Sequence, residues 1–281
     1  MRIAVHVGAD GARKTVVREG DRSASLGEVP VETLIAEGEA GLTRMKAALD
    51  AGETNGDDQG RLAAPLIHPG KQVFVGVNYE DHVDELPPPW KMTEEPFIFL
   101  KAPTAIIGPE DPIKIPIEPS SVDYEIELLV VIGKRASKVK AADALDHIWG
   151  WTIVNDVTER TIQATDNQLA MGKGVDTFCP MGPEIVLRDE LPDSDGLDVW
   201  TKVNGEFRQQ SNTSKMIFTP AQIIERVSRL ITLEPGDTVS TGTPGGCGAY
   251  KKPPLFMQPG DTVTVGVEKI GELTNPVEAG W

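Results

Sequence analysis

The sequence predicts a mainly β fold with some α. Two observations carry that expectation: short β-branched and apolar runs recur along the chain, and 28 glycines and 22 prolines punctuate them. Segments with helical periodicity are few. In the first 50 residues, "RIAVHVG" and "KTVV" read as strands, and "GLTRMKAALDAG" reads as an amphipathic helix with Leu42, Met45 and Leu49 on one face. The polar stretch "GETNGDDQGR" (52–61) reads as a linker. From residue 70 onward, "KQVFVGVNY", "IELLVVIG", "IWGWTIVND", "EIVL", "LDVWTKVNG", "DTVSTG" and "DTVTVGVE" carry strand patterns. Helices are expected at "AADALDHI" (141–148) and "TPAQIIERVSRLITL" (219–233), the second opened by Thr219 with Pro220 at its first helical position. "PGDTV" occurs at 235 and again at 259, which reads as repeated turn chemistry and not as a domain repeat. The division expected is a small N-terminal domain over 1–66 and a main body over 67–281.

A chain of 281 residues with 27 basic and 43 acidic side chains has a formal net charge of −16. That charge repels phosphate backbones and anionic lipid, so nucleic acid and membrane surfaces are excluded as partners. No apolar run is long enough to span a bilayer and the first residues lack a secretory h-region, so the expected location is cytoplasmic. Cys179 and Cys247 have neither metal-type spacing nor disulfide logic.

Chemistry begins at "VDYEIELLVVIG" (122–133). In a strand, Glu125 and Glu127 project from one face, with Leu129 and Val131 continuing that face as apolar residues. Two like charges so placed destabilise a strand unless something offsets them. Read alone, the pair is a solvated strand end. Asp156, ending the apolar run "WGWTIVND", adds a third carboxylate at the end of another strand. Three carboxylates suit a hard cation, magnesium or manganese, with calcium as the alternative, better than zinc.

Eight segments in order then resemble the fumarylacetoacetate hydrolase family: "VGVNYEDHVDE", "FLKAPTAIIGP", "VDYEIELLVVIGK", "GWTIVNDVTERTIQ", "GKGVDTFCPMGP", "VNGEFRQQSNT", "LEPGDTVSTGTPGGCG" and "IGELTNPV". The resemblance implies a mixed β-sandwich or roll as the catalytic core, a small N-terminal β-rich domain, and a homodimer. It also implies that Glu125, Glu127 and Asp156 bind the divalent metal. His82 and Glu85, three residues apart in "NYEDHVDE", would form a water-activating pair, since a carboxylate orients and charges an imidazole. Arg160 and Lys173 would compensate the acids, with Lys173 facing developing oxyanion charge and Gln163 contacting substrate. In "TGTPGG" (241–246), the backbone N–H groups and the Thr243 hydroxyl would meet a substrate oxygen. "LPPPWKMTEEP" (86–96) reads as a mobile lid. Two departures stand out: Glu159 replaces a small residue beside Arg160, an extra acid near the anion site, and Thr161 replaces an aspartate. Cys247 is expected to serve packing.

The activity implied is metal-dependent hydrolysis of a C–C bond in a small 2-oxo acid (an acylpyruvate or diketo acid, as in aromatic catabolism) through a stabilised enolate. Decarboxylation of an oxaloacetate-type acid and isomerisation of a hydroxymuconate-type diacid use the same enolate and stay open beside it. A non-catalytic metal-binding β scaffold is the alternative of another class.

Overall fold

The computed structural model describes residues 1–52, 57–87, 93–116, 120–165 and 169–280. Two sheets form its body. The larger has eleven strands, and its main path runs Arg22–Ser25, Arg13–Glu19, Arg2–Val7, Cys179–Leu187, Ile148–Asn155, Ile126–Ile132, Thr238–Ser240, Gln72–Gly76, Phe97–Lys101. The smaller has five, in the order Glu206–Asn212, Asp198–Val203, Thr262–Val267, Gly271–Ala279, Ile113–Ile115.

The strand Ile126–Ile132 shows why the sheets face each other. All seven of its residues are buried. Ile126, Leu128, Val130 and Ile132 join one core with Val199, Val263, Val265 and Leu273 of the smaller sheet. Leu129 and Val131, on the opposite face, join a second core with Ile3, Met45 and Leu49 from the first 50 residues. Each such side chain contributes roughly 1.5–3 kcal/mol by leaving water. The strand is therefore the partition between two cores: the smaller sheet covers one face, and the first 50 residues, Met45 and Leu49 of their helix included, cover the other.

Most expected elements form. The first helix runs Glu39–Ala51, with Met45 and Leu49 buried. The last runs Pro220–Ser228 and is capped by Thr219 and Gln222 reciprocally, but it ends five residues before the expected limit of 233. The two "PGDTV" turns share one chemistry: Gly236 and Gly260 have φ of 88° and 98°. Asp237 and Asp261 each accept, at 2.7 Å, the amide three residues earlier.

The stretch 52–61 is not simply a linker. Residues 53–56 lie outside the described residues, but Asp57–Gln59 form a 3₁₀ turn and Arg61–Ala63 pair antiparallel with Val5–Val7. The Arg2–Val7 strand also pairs with Cys179–Leu187 (Arg2 opposite Val186), so residues 1–66 share a continuous sheet with the main body. Strands at Phe97–Lys101, Glu206–Asn212 and Gly271–Ala279 carry weak patterns in sequence and form through cross-strand pairing. Among the described residues, no helix is long and apolar enough to cross a membrane.

Candidate metal centre and active site

Strand register assembles the first half of the site. Ile126 pairs with Asn155 and Glu127 with Val154, so Asp156 falls beside Glu125. The Asp156 amide donates to the Glu125 carbonyl at 2.8 Å, and the Glu125 amide donates to Asn155 Oδ1 at 2.9 Å. One oxygen from each of Glu125, Glu127 and Asp156 lies within 4.8 Å of the others, and all three residues are buried.

Cations enclose this cluster. Lys173 Nζ donates to Glu125 Oε2 at 2.8 Å, to Asp156 Oδ2 at 2.5 Å and to Thr158 Oγ1 at 2.8 Å. Lys101 Nζ donates to Asp156 Oδ1 at 2.6 Å and to the Phe178 carbonyl at 2.6 Å. Arg160 donates to Asp123 Oδ2 at 2.8 Å, to Glu125 Oε1 at 2.6 Å and to Gln163 Oε1 at 3.1 Å.

These contacts split the two glutamates. Burial alone would raise the Glu125 carboxyl, but Lys173, Arg160 and His82 outweigh it and hold the group well below the usual carboxylate range. Glu127 goes the other way: burial pushes it well above that range, and Asp156 and Glu125 push it further. Its Oε2 has no hydrogen-bond partner. Asp123, Glu125 and Asp156 are each matched by a cation; Glu127 is the acid left over. An unmatched buried carboxylate costs several kcal/mol, more than the roughly 1 kcal/mol that one ordinary hydrogen bond returns. An ionised Glu127 therefore needs a further cation, and the oxygen-only donor set fits a hard divalent ion.

His82 borders the same cavity, of about 250 Å³, with Phe97, Phe99 and Tyr250 as aromatic wall. It sits on the helical turn Glu80–Val83, and its Nδ1 lies 3.3 Å from Glu85 Oε2. The other Glu85 oxygen accepts the Gly246 amide at 2.6 Å. The neighbouring Gly245 amide donates to Asp81 Oδ1 at 3.1 Å. This corrects one expectation: those two N–H groups of the glycine-rich turn hold the His82 turn in place and do not face a substrate oxygen. Thr243 of the same stretch does border the cavity, with Arg160, Gln163 and Lys173.

Glu159 also differs from expectation. It is buried, but its oxygens accept the Ser121 amide at 2.8 Å and the Ile162 amide at 2.6 Å. It closes the start of the helix Arg160–Thr165 and does not border the cavity. Thr161 is likewise turned away, to Ser121 Oγ at 3.1 Å. Cys247 is buried, as packing requires. Of the lid stretch, residues 88–92 lie outside the described residues, while Thr93 borders the cavity.

Residues 71–278 match the fumarylacetoacetate (FAA) hydrolase C-terminal family. The chain belongs to the fumarylacetoacetate hydrolase family. It is 42% identical over 243 residues to oxaloacetate tautomerase fahd2, mitochondrial, of Xenopus laevis, covering 85% of this chain and 76% of that protein. Oxaloacetate tautomerase YisK of Bacillus subtilis is 42% identical over 219 residues, covering 77% of this chain and 73% of the relative. Among solved structures, a fumarylacetoacetate hydrolase of Exiguobacterium antarcticum superposes with a TM-score of 0.83 at 35% identity, covering 99% of both chains. A 2-hydroxyhepta-2,4-diene-1,7-dioate isomerase of Mycobacterium marinum gives 0.75 at 37%, covering 99% of this chain and 98% of that one.

Within this family member, three residues join the site that motif spacing did not single out. Lys101 ends the apolar run "FIFL", as Asp156 ends "WTIVN"; a lone charge closing an apolar run is the available signal. Asp123 lies two residues before Glu125, one more step of the same alternation, and it also accepts the Gly248 amide at 2.8 Å and the Ala249 amide at 3.0 Å. Tyr250 stacks edge-on to His82 at 5.6 Å, and nothing in the sequence marks it.

Proposed function

We propose that this chain is a divalent-metal-dependent enzyme that interconverts the keto and enol forms of a small 2-oxo diacid, with oxaloacetate as the substrate. The observation that carries the reading is the placement of Glu127, a buried acid without a matching cation, in one cavity with His82, whose Nδ1 faces Glu85. The names of two relatives at 42% identity support oxaloacetate.

Glu125, Glu127 and Asp156 would hold the metal, Mg²⁺ or Mn²⁺. When bound, it supplies Lewis-acid polarisation of the substrate's 2-oxo group. Glu85 holds His82 through Nδ1, so Nε2 is the ring atom left to take the proton from the carbon next to the oxo group and to return it. Arg160 and Gln163 orient a carboxylate, and Lys173 pairs with both Glu125 and Asp156, helping to hold the Glu125 carboxyl below the usual carboxylate range. In the metal cluster, a dication added to the three matched pairs and Glu127 leaves net positive charge, which attracts an anion.

One observation favours hydrolysis as a second reading. An imidazole backed by a carboxylate also activates water, and a longer acylpyruvate brings a distal carbonyl toward it. The homodimer belongs to this proposal on family resemblance, and the cytoplasmic location stays with it as a proposal. A product screen tests the function: enol and keto oxaloacetate, acylpyruvates and hydroxymuconate-type diacids, each with Mg²⁺ and Mn²⁺, followed by NMR. Accelerated keto–enol exchange of oxaloacetate is expected. Failure to act on any oxo acid with either metal would contradict the proposal and favour a metal-binding scaffold.

A further inference from the structure

Gln209 lies on the Glu206–Asn212 strand of the smaller sheet, is buried, and ties three parts of the site together. Its Oε1 accepts the Ile126 amide at 3.1 Å and the Thr201 hydroxyl at 2.7 Å. Ile126 stands between Glu125 and Glu127, so the first of these bonds anchors the strand that carries both acids. Its Nε2 donates to Thr243 Oγ1 at 2.9 Å and to the Pro244 carbonyl at 2.8 Å.

Chemistry fixes which way this amide points. The Ile126 N–H can only donate, so an oxygen must face it; the Pro244 carbonyl can only accept, so the nitrogen must face that. The Gln209 nitrogen therefore donates to Thr243, and the Thr243 oxygen is the acceptor in that bond. A hydroxyl carries a single proton. With an N–H already pointing at its oxygen from Gln209, the Thr243 proton turns away from Gln209 and toward the cavity that Thr243 borders.

We propose that Gln209 is a positioning residue: it makes Thr243 a hydrogen-bond donor toward the cavity, poised for a carboxylate oxygen of the bound acid. A carboxylate fits better than an alcohol or amine because it only accepts and because Arg160 and Lys173 border the same cavity. The ligand class rests on the function proposed above; the polarity of the hydroxyl rests on the hydrogen bonds alone.

The test is calorimetric binding of oxalate, a non-reacting dicarboxylate, to the Mg²⁺-loaded protein. It compares wild type with Gln209→Met, Gln209→Glu, Thr243→Val, Thr243→Ser and the Gln209→Met/Thr243→Val pair. Gln209→Met and Thr243→Val should each weaken binding by about tenfold or more, the range for a hydrogen bond to a charged group. The double variant should lose no more than the worse single, because both remove one bond, and Thr243→Ser should bind like wild type. Gln209→Glu keeps the size, presents an acceptor to Thr243, and should also lose affinity.

Thermal melts run alongside separate this from a packing role. A Gln209→Met protein that melts lower yet binds oxalate as tightly as wild type overturns the inference. So do losses that multiply in the double variant, or a wild type that does not bind oxalate. Absence of oxaloacetate turnover, with the oxalate pattern intact, would strike the proposed activity and leave this inference standing.

Discussion

Lys101 and Asp156 form a fully buried ion pair, with Nζ 2.6 Å from Oδ1, beside the candidate metal centre. Lys101 uses its remaining donors on the carbonyls of Val157 and Phe178, so nothing about its position is left to solvent. The pair fixes one Asp156 oxygen and turns the other toward Glu125 and Lys173. Replacing Lys101 with Met leaves a buried carboxylate oxygen unpaired, which destabilises by about 3–5 kcal/mol. It should also weaken metal binding by about 10–100-fold, as loss of a ligand's orienting partner does. Melting temperature and Mn²⁺ titration check both; unchanged metal affinity would show that Asp156 needs no such support.

His82→Asn should lower kcat for oxo-acid turnover by about 10²–10⁴-fold, the range for removing a general acid–base group, with metal affinity unchanged. Steady-state kinetics beside Mn²⁺ titration measure the two separately. Glu85→Gln should reduce kcat less, because the amide still accepts from the Gly246 N–H and only the carboxylate contact with His82 Nδ1 is lost. Full activity of His82→Asn would remove the proton-transfer role.

The two glutamates predict opposite pH behaviour. Glu125, held below its ordinary 4.5, contributes stability that is present above that value and is lost as pH falls through its lower folded-state value. Glu127, raised above 4.5, contributes stability to the metal-free protein below 4.5 that is lost as pH rises through its folded-state value. A metal takes the place of that proton. Stabilisation by Mg²⁺ should therefore grow as pH rises above 4.5 through the raised Glu127 value, with proton release on binding. Thermal melts across that range, and calorimetry in buffers of different ionisation enthalpy, read it. Mg²⁺ stabilisation that does not change with pH would contradict the assignment.

Glu159→Ala removes the acceptor of two amides at the head of the Arg160–Thr165 helix and should cost about 0.5–2 kcal/mol, as capping losses do. Relative rates on different oxo acids should stay as in wild type, since Glu159 does not border the cavity. A change in substrate preference would instead place it in the anion site.

Much of this site is legible in the sequence because alternation is local. The period of two puts Glu125 and Glu127 on one face, and the spacing of three puts His82 against Glu85, before any topology is known. The meeting of Glu125 with Asp156 depends on the register of Ile126 against Asn155, a pairing that the family motifs imply and strand propensity alone does not give. The contacts of Lys101 and Gln209 leave no local signal for the same reason. Lys101 is 55 residues from Asp156 and Gln209 is 83 from Ile126, and such contacts leave no periodic trace. Glu159 shows the converse: proximity in sequence to Arg160 suggested a place in the anion site, but helix geometry turned it to backbone amides. The strand ending at Lys101 and the one bearing Gln209 form because neighbours in the sheets pair with them, which outweighs their weak patterns.

The central claim is that Glu125, Glu127 and Asp156 hold a divalent ion that the oxo-acid chemistry requires. The most direct measurement follows decay of enol oxaloacetate by its ultraviolet absorbance, in wild type and Glu127→Gln, after EDTA treatment and after return of Mg²⁺. Wild type should lose catalysis in EDTA and regain it with Mg²⁺, while Glu127→Gln, folded by its melting curve, should stay at the uncatalysed rate throughout. A Glu127→Gln protein that matches wild type, or a wild type indifferent to EDTA, would contradict it.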